Sequence, residues 1–191
     1  MPNRTYESLH SLIRRLSYRE GDFTLASGKK SGFYIDLKAT TFHPEGAWLV
    51  GKSAVEYFLA LGSDVAKAIQ GVGGLTLGAD PIATAVSMVA HEAGLFWPAY
   101  IVRKESKDHG TGKFIEGTEN LPKAANLLVV EDVVTTGGSS VKAIERIRDA
   151  GYRCAGVLTI VDREQGGAEA FAKLGVPFHR LATISQIRAA F

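Results

Sequence analysis

Residues 127–130 read Leu-Leu-Val-Val, an unbroken apolar run, and Glu131, Asp132 and the loop sequence VTTGGSS follow directly. A strand that alternates apolar with polar residues can leave one face in water, but a continuously apolar one must be covered on both. The run therefore demands a central place in an α/β fold, a mainly parallel sheet flanked by helices on both faces. The rest of the chain supplies the alternation. Leu9, Leu12, Ile13 and Leu16 fall at the i, i+3, i+4 and i+7 positions of a first helix. Residues 23–38, FTLASGKKSGFYIDLK, read as two short strands around a Gly/Ser/Lys turn. Pro44 opens a second helix with Trp48, Val55, Phe58 and Leu59 turned inward. Residues 65–72 read as a strand, followed by a glycine-rich loop and a helix opening at Pro81; 98–103, 154–161 and 176–181 read as further strands. The helix after the acid pair should begin at about Ser139 and end near Gly151, and another over 168–174 should stop at Gly175.

Sheets of this kind bind ligands beyond the carboxyl ends of their strands, so the informative segments follow Val72, Arg103, Glu131 and Val161. The loop after Asp132 offers hydroxyls, and two glycines that let backbone N–H groups turn inward at the positive end of a helix dipole. That is a phosphate cradle. Carboxylates beside it make sense once a sugar is included, since they accept hydrogen bonds from ribose hydroxyls and hold Mg2+ directly or through its water shell. A ligand with a 5-phosphate, ribose hydroxyls and a metal-bound pyrophosphate accounts for every residue type present. Other phosphate motifs fail: no GxxxxGK[ST] occurs, and the GxGxxG begun by Gly71 and Gly73 ends in Thr76.

Composition excludes several function classes. A net charge of +2 argues against a nucleic-acid surface, and a single cysteine, Cys154, excludes a disulfide framework and a cysteine-rich metal site. Cys154 lies in the apolar run CAGVLTIV and is expected to be a small core residue. No apolar run approaches the ~20 residues that cross a bilayer, which points away from membranes and toward the cytoplasm. His91-Glu92 begins like HExxH but meets Leu95, and His10, His43 and His179 read as surface or core fillers.

EDVVTTGGSS resembles the phosphoribosyl-pyrophosphate (PRPP) signature of the type I phosphoribosyltransferases. The spacing Arg-Lys-x-x-Lys-x-His-Gly in RKESKDHGTGK, residues 103–113, resembles the catalytic loop of the orotate phosphoribosyltransferase family. The hairpin at 23–38 resembles that family's hood over the base, and VDREQGG, residues 161–167, its segment carrying an orotate-binding arginine. The resemblance implies one domain over 1–191, with a hood at about 1–40 and a core at about 41–191. It implies transfer of ribose 5-phosphate from PRPP to orotate, with Mg2+, in a homodimer whose 103–113 loop is shared across subunits. On it, Arg103, Lys104, Lys107 and His109 bind the pyrophosphate, with Lys104, Lys107, His109 and Asp132 catalytic. Glu131 and Asp132 take the ribose hydroxyls and are the candidate metal contacts, while Val133, Val134, Thr135, Thr136, Gly137, Gly138 and Ser139 wrap the 5-phosphate. Orotate falls to Thr135, Arg163, Phe33 and Tyr34. An arginine at a strand's carboxyl end is suited to grip a carboxylate, which orotate has and adenine, hypoxanthine and uracil lack. The alternatives are a phosphoribosyltransferase for a purine or uracil, and a PRPP-sensing regulator that binds nucleic acid. Ala26 and Leu77 depart from members with lysine there; Lys29, Lys30 and the backbone of 73–78 are the candidates to replace those contacts.

Overall fold

The computed structural model describes residues 8–24, 28, 30–105 and 114–190. A helix, α1 (Leu9–Ser17), leads into a hairpin of β1 (Tyr18–Thr24) and β2 (Lys30–Ile35). A short helix, α2 (Lys38–Thr41), then joins the hairpin to α3 (Pro44–Leu61) and α4 (Ser63–Ala68). The sheet elements that follow are β3 (Val72–Leu75), α5 (Ala79–Glu92), β4 (Ala99–Val102) and β5 (Ile115–Glu116). The second half comprises β6 (Asn126–Val134), α6 (Gly138–Asp149), β7 (Arg153–Asp162), α7 (Gly167–Lys173), β8 (Phe178–Thr183) and α8 (Ile184–Ala189). The six-stranded sheet runs β5-β4-β3-β6-β7-β8 and is parallel except for β5.

The apolar run does sit at the centre. Leu127 and Val129 pack with α6 and α7, while Leu128 and Val130 pack with α3 and α5 on the other face. All four are fully buried, and each leucine so placed is worth about 1.5–3 kcal/mol. α1 buries Leu9, Leu12 and Ile13 as its stripe predicts, and Ser8 caps it by accepting from the Ser11 N–H.

Four expectations are corrected. Residues 65–72 do not form one strand: α4 occupies Ser63–Ala68, and β3 begins only at Val72. V-A-K-A-I alternates like a strand, but Val65 is 44% exposed while Ala66 and Ile69 are buried, which is a helical spacing. Gly73 and Gly74 belong to the strand rather than to a loop, because the sheet is too close there for a side chain. A Cβ on Gly73 would strike the Tyr100 carbonyl, and one on Gly74 the Val130 carbonyl. Leu59 is 40% exposed, because it sits one step, about 100°, around the helix from the buried Phe58. Cys154 is only half-buried, its Sγ 3.6 Å from the Gly156 carbonyl, and burial pushes its thiol up. His179 is likewise half-buried, bonded through Nδ1 to the Tyr57 hydroxyl at 3.1 Å and edge-on to Phe58. The strand starts of the hairpin and β8, and the helices α2 and α8, also lie beyond the sequence reading. α8 is set by a capping box of Thr183 and Gln186.

Among the described residues no helix is long and apolar enough to cross a membrane. Gly74→Ala is expected to cost about 1–3 kcal/mol by forcing β3 off β6. Gly138→Ala, whose Cβ meets nothing within 4 Å, should stay within about 0.5 kcal/mol of the parent. Urea unfolding of the two variants checks both.

Candidate active site

The strand order reverses between β3 and β6. From β3 the chain moves outward to β4, and from β6 it moves the other way to β7 and β8. β6 pairs with β3 only at Leu128 and Val129, but with β7 as far as Val134. Past Val129 its β3 side has no strand partner, and a crevice opens between helices that leave to opposite faces, where open α/β sheets take ligands. β6 therefore runs on through Asp132 to Val134, rather than ending at Glu131 as the apolar pattern suggested. Pairing with β7 carries the strand past both acids.

The loop after β6 is held from behind. Gly137 has φ +84° and a would-be Cβ 2.9 Å from the Phe171 ring, so only glycine makes this turn. Gly167 at the start of α7 backs against Val134 and lies near the Thr135 carbonyl. α6 has no side-chain cap at its N-terminus, which leaves its first-turn N–H groups available to an anion. Thr136, Gly138 and Ser139 are exposed around that opening.

The two acids touch each other through their side chains but take different further partners. Glu131, 9% exposed, accepts from the Ser140 hydroxyl of α6 at 3.1 Å. Burial first, and the charge of Asp132 second, push its carboxyl up to about 8. Asp132 accepts from the Val133 N–H at 2.7 Å, with its carboxylate 3.1 Å from a would-be Cβ on Gly78. Lys38 lies near enough to feel the charge of Asp132, although its raised pKa comes chiefly from the side-chain hydrogen bond to Asp36 at 2.8 Å.

Arg163 follows β7, its backbone N–H donating to the Val134 carbonyl at 2.9 Å beside the Thr135–Ser139 loop. Asp162, buried, accepts from the Glu164 N–H at 2.8 Å and from Arg180 at 2.9 Å, fixing the turn that carries Arg163. The guanidinium lies 4.8 Å from the centre of the Phe33 ring, and its Nε is buried with no hydrogen-bond partner. Burial lowers its pKa. Phe33 in turn stacks on Tyr18 at 5.6 Å. Hood and core thus meet at an arginine with a donor to spare.

Chain comparison agrees with this geometry. The model of the phosphoribosyl transferase domain matches residues 77–173. The orotate phosphoribosyltransferase of Nostoc sp. is 48% identical over 94% of this chain and 84% of its own. Among solved structures, the Mycobacterium tuberculosis H37Rv orotate phosphoribosyltransferase in complex with Fe(III) dicitrate superposes with a TM-score of 0.79. It is 38% identical over 94% of this chain and 96% of that one. The same enzyme in complex with PRPP gives a TM-score of 0.75 and 36% identity over the same shares. The chain belongs to the orotate phosphoribosyltransferase family.

Within that family's frame the structure brings Glu131, Asp132, Val133, the Thr135–Ser139 loop and Arg163 with Phe33 to one end of the sheet, while Val134 is buried in the core against Gly167. Tyr34 is not among them. Successive strand residues face opposite sides, so Tyr34 turns away from Arg163, 45% exposed and packed on Phe23. Arg103 and Lys104 follow β4; the Arg103 guanidinium is paired with Glu116 at 3.1 Å, and Lys104 shares with Ser139 the lining of a cavity of about 1050 Å3. Lys107 and His109 lie outside the described residues, as do Ala26 and Lys29. Sequence reasoning missed Lys38, Asp162 and Ser140, whose roles depend on contacts between elements distant in the chain. All three lie inside segments that the sequence marks, Lys38 at the end of 23–38, Ser140 in the GGSS run and Asp162 in VDREQGG.

Among the described residues no three His, Cys, Asp or Glu side chains converge as a metal cage. One adjacent carboxylate pair nevertheless suits Mg2+, which keeps waters and takes its remaining ligands from phosphates. The raised Glu131 pKa sets a pH dependence. The folded chain keeps the proton up to about 8 while the unfolded chain releases it near the ordinary 4.5, so stability falls as pH rises between those values. Urea midpoints measured from pH 5 to 8 should decline for the parent and decline less for Glu131→Gln. Equal slopes would remove Glu131 as their source.

Proposed function

We propose that the protein transfers ribose 5-phosphate from PRPP to orotate, releasing orotidine 5′-monophosphate and pyrophosphate, in de novo pyrimidine biosynthesis. The observation that carries this reading is the partnerless Nε of Arg163, held against Phe33 beside the phosphate loop. A carboxylate-bearing pyrimidine would lie beside this pair with its carboxylate satisfying the guanidinium and Thr135 near it. The backbone N–H groups at Gly137, Gly138 and Ser139, with the hydroxyls of Thr135, Thr136 and Ser139, would hold the 5-phosphate. Asp132 and Glu131 would accept from the ribose hydroxyls.

A deprotonated ring nitrogen of orotate then bonds to the anomeric carbon as the carbon–oxygen bond to pyrophosphate breaks. The bonding pair leaves with pyrophosphate. No protein nucleophile takes part; these residues orient two reactants and stabilise the departing charge. Lys104, Lys107, His109 and Arg103 are assigned to that charge. The Arg103–Glu116 pair, about two-fifths exposed, is weak enough to yield to a more highly charged anion. Mg2+, when bound through the diphosphate with Asp132 and Glu131 as protein contacts, would neutralise part of the same charge.

The whole chain acts as one catalytic unit of hood and core in this reading, located in the cytoplasm and paired as a homodimer with the 103–113 loop shared. Exposed Met88 and Phe96, at 65% and 72%, supply apolar surface suited to a second copy. The test is the ultraviolet absorbance of orotate with protein, PRPP and Mg2+, run beside uracil, hypoxanthine and adenine. Absorbance should change with orotate alone. Arg163→Ala should lower kcat/KM for orotate roughly 10- to 100-fold, the loss of a hydrogen bond to a charged group, and leave PRPP binding intact. Turnover of another base instead would overturn the base assignment.

A further inference from the structure

One arginine outside the crevice ties together the two ends of the segment that carries the pyrophosphate cations. Arg146 projects from α6, two turns beyond the phosphate-binding end of that helix. Its Nη1 donates to the backbone carbonyl of Arg103, and its Nη2 to that of Lys104 at 2.7 Å. The same guanidinium lies 4.3 Å from the centre of the Phe114 ring. Phe114 is where the chain returns toward β5, and its carbonyl accepts from the Arg103 N–H at 2.8 Å. So one planar group bonds the outgoing chain and stacks on the incoming one.

We propose that Arg146 is a positioning residue for pyrophosphate release: it sets Arg103 and Lys104 against the leaving group by fixing their backbone to α6. The inference rests on the reading that Arg103 and Lys104 serve pyrophosphate. α6 is held to the sheet by Ala143, Ile144 and Ile147, all fully buried, so the helix does not need Arg146 in order to pack. The bonds go to main-chain carbonyls and leave the Lys104 side chain exposed and able to reach a ligand. α6 rises about 1.5 Å per residue, which places Arg146 about 12 Å along the helix from Gly138. α6 thus carries the proposed 5-phosphate cradle at one end and, near the other, the anchor of the loop that the proposed homodimer shares. Lysine cannot replace this group fully: it lacks the planar fork that spans two carbonyls and lies flat on a ring.

The test compares ligands with and without pyrophosphate. Dissociation constants for PRPP with Mg2+ and for orotidine 5′-monophosphate are measured on the parent, Arg146→Ala, Arg146→Lys, Phe114→Leu and Lys104→Ala. Arg146→Ala should weaken PRPP about 10-fold, as two anchoring hydrogen bonds are lost, and leave orotidine 5′-monophosphate within about twofold. Arg146→Lys should recover part of the loss, and Phe114→Leu should weaken PRPP selectively even if Arg146→Ala fails to fold. Equal weakening of both ligands by the Arg146 and Phe114 variants would reduce Arg146 to a stability role and overturn the proposal. If Lys104→Ala weakens PRPP and the Arg146 and Phe114 variants do not, the positioning role is overturned while the cation assignment stands. If Lys104→Ala changes nothing, the assignment itself falls.

Discussion

β3 and β6 are neighbours for two residue pairs and then part, and the rest of the site depends on that separation. The glycines of β3 permit the close approach: side chains at Gly73 or Gly74 would collide with Tyr100 or with the β6 backbone. Past Val129, β6 is held only by β7, and its remaining residues line an open crevice. Because α5 and α6 depart to opposite faces, two helix beginnings flank that crevice, one beside Asp132 and the other at the Thr135–Ser139 loop. A continuous sheet at this point would bury the acid pair with nothing to bind.

Electrostatic asymmetry follows from the same geometry. Glu131 packs against α6, where burial favours its neutral form, and Asp132 lies near Lys38 of α2. One acid is thus poised to hold a proton, and the other sits close to a cation. On the proposed reaction the pair meets ribose hydroxyls and a charged diphosphate without placing two full negative charges in a buried site. Arg163 has a comparable condition on the far side, a desolvated cation with a donor unspent.

Local patterns carried much of this in the sequence. The apolar run at 127–130, the glycine and hydroxyl loop after it and the stripe of α1 each state a requirement that neighbours in the chain satisfy. The place of Arg163 directly after a strand was legible in the apolar run of β7, whereas its contact with Phe33 was not. The errors have a common origin in contacts between distant segments. β6 outruns its apolar stretch because β7 continues to pair with it, and α4 imitates a strand because only packing decides which way Val65 faces. Tyr34 was grouped with Phe33 because a hairpin's register, and so its inward face, is fixed by the partner strand. Lys38 beside Asp132 and Arg146 beside the Arg103 and Lys104 carbonyls join residues far apart in sequence, and no local pattern announces them.

The central claim is that the crevice between β3 and β6 holds the sugar phosphate of PRPP. A crystal structure of the protein with PRPP and Mg2+ tests it most directly. The account predicts the 5-phosphate on the N–H groups of Gly137 to Ser139 and the ribose hydroxyls within hydrogen-bond distance of Asp132. A ribose 5-phosphate lodged instead in the cavity lined by Lys104, Lys142 and Tyr152, with Asp132 untouched, would contradict it.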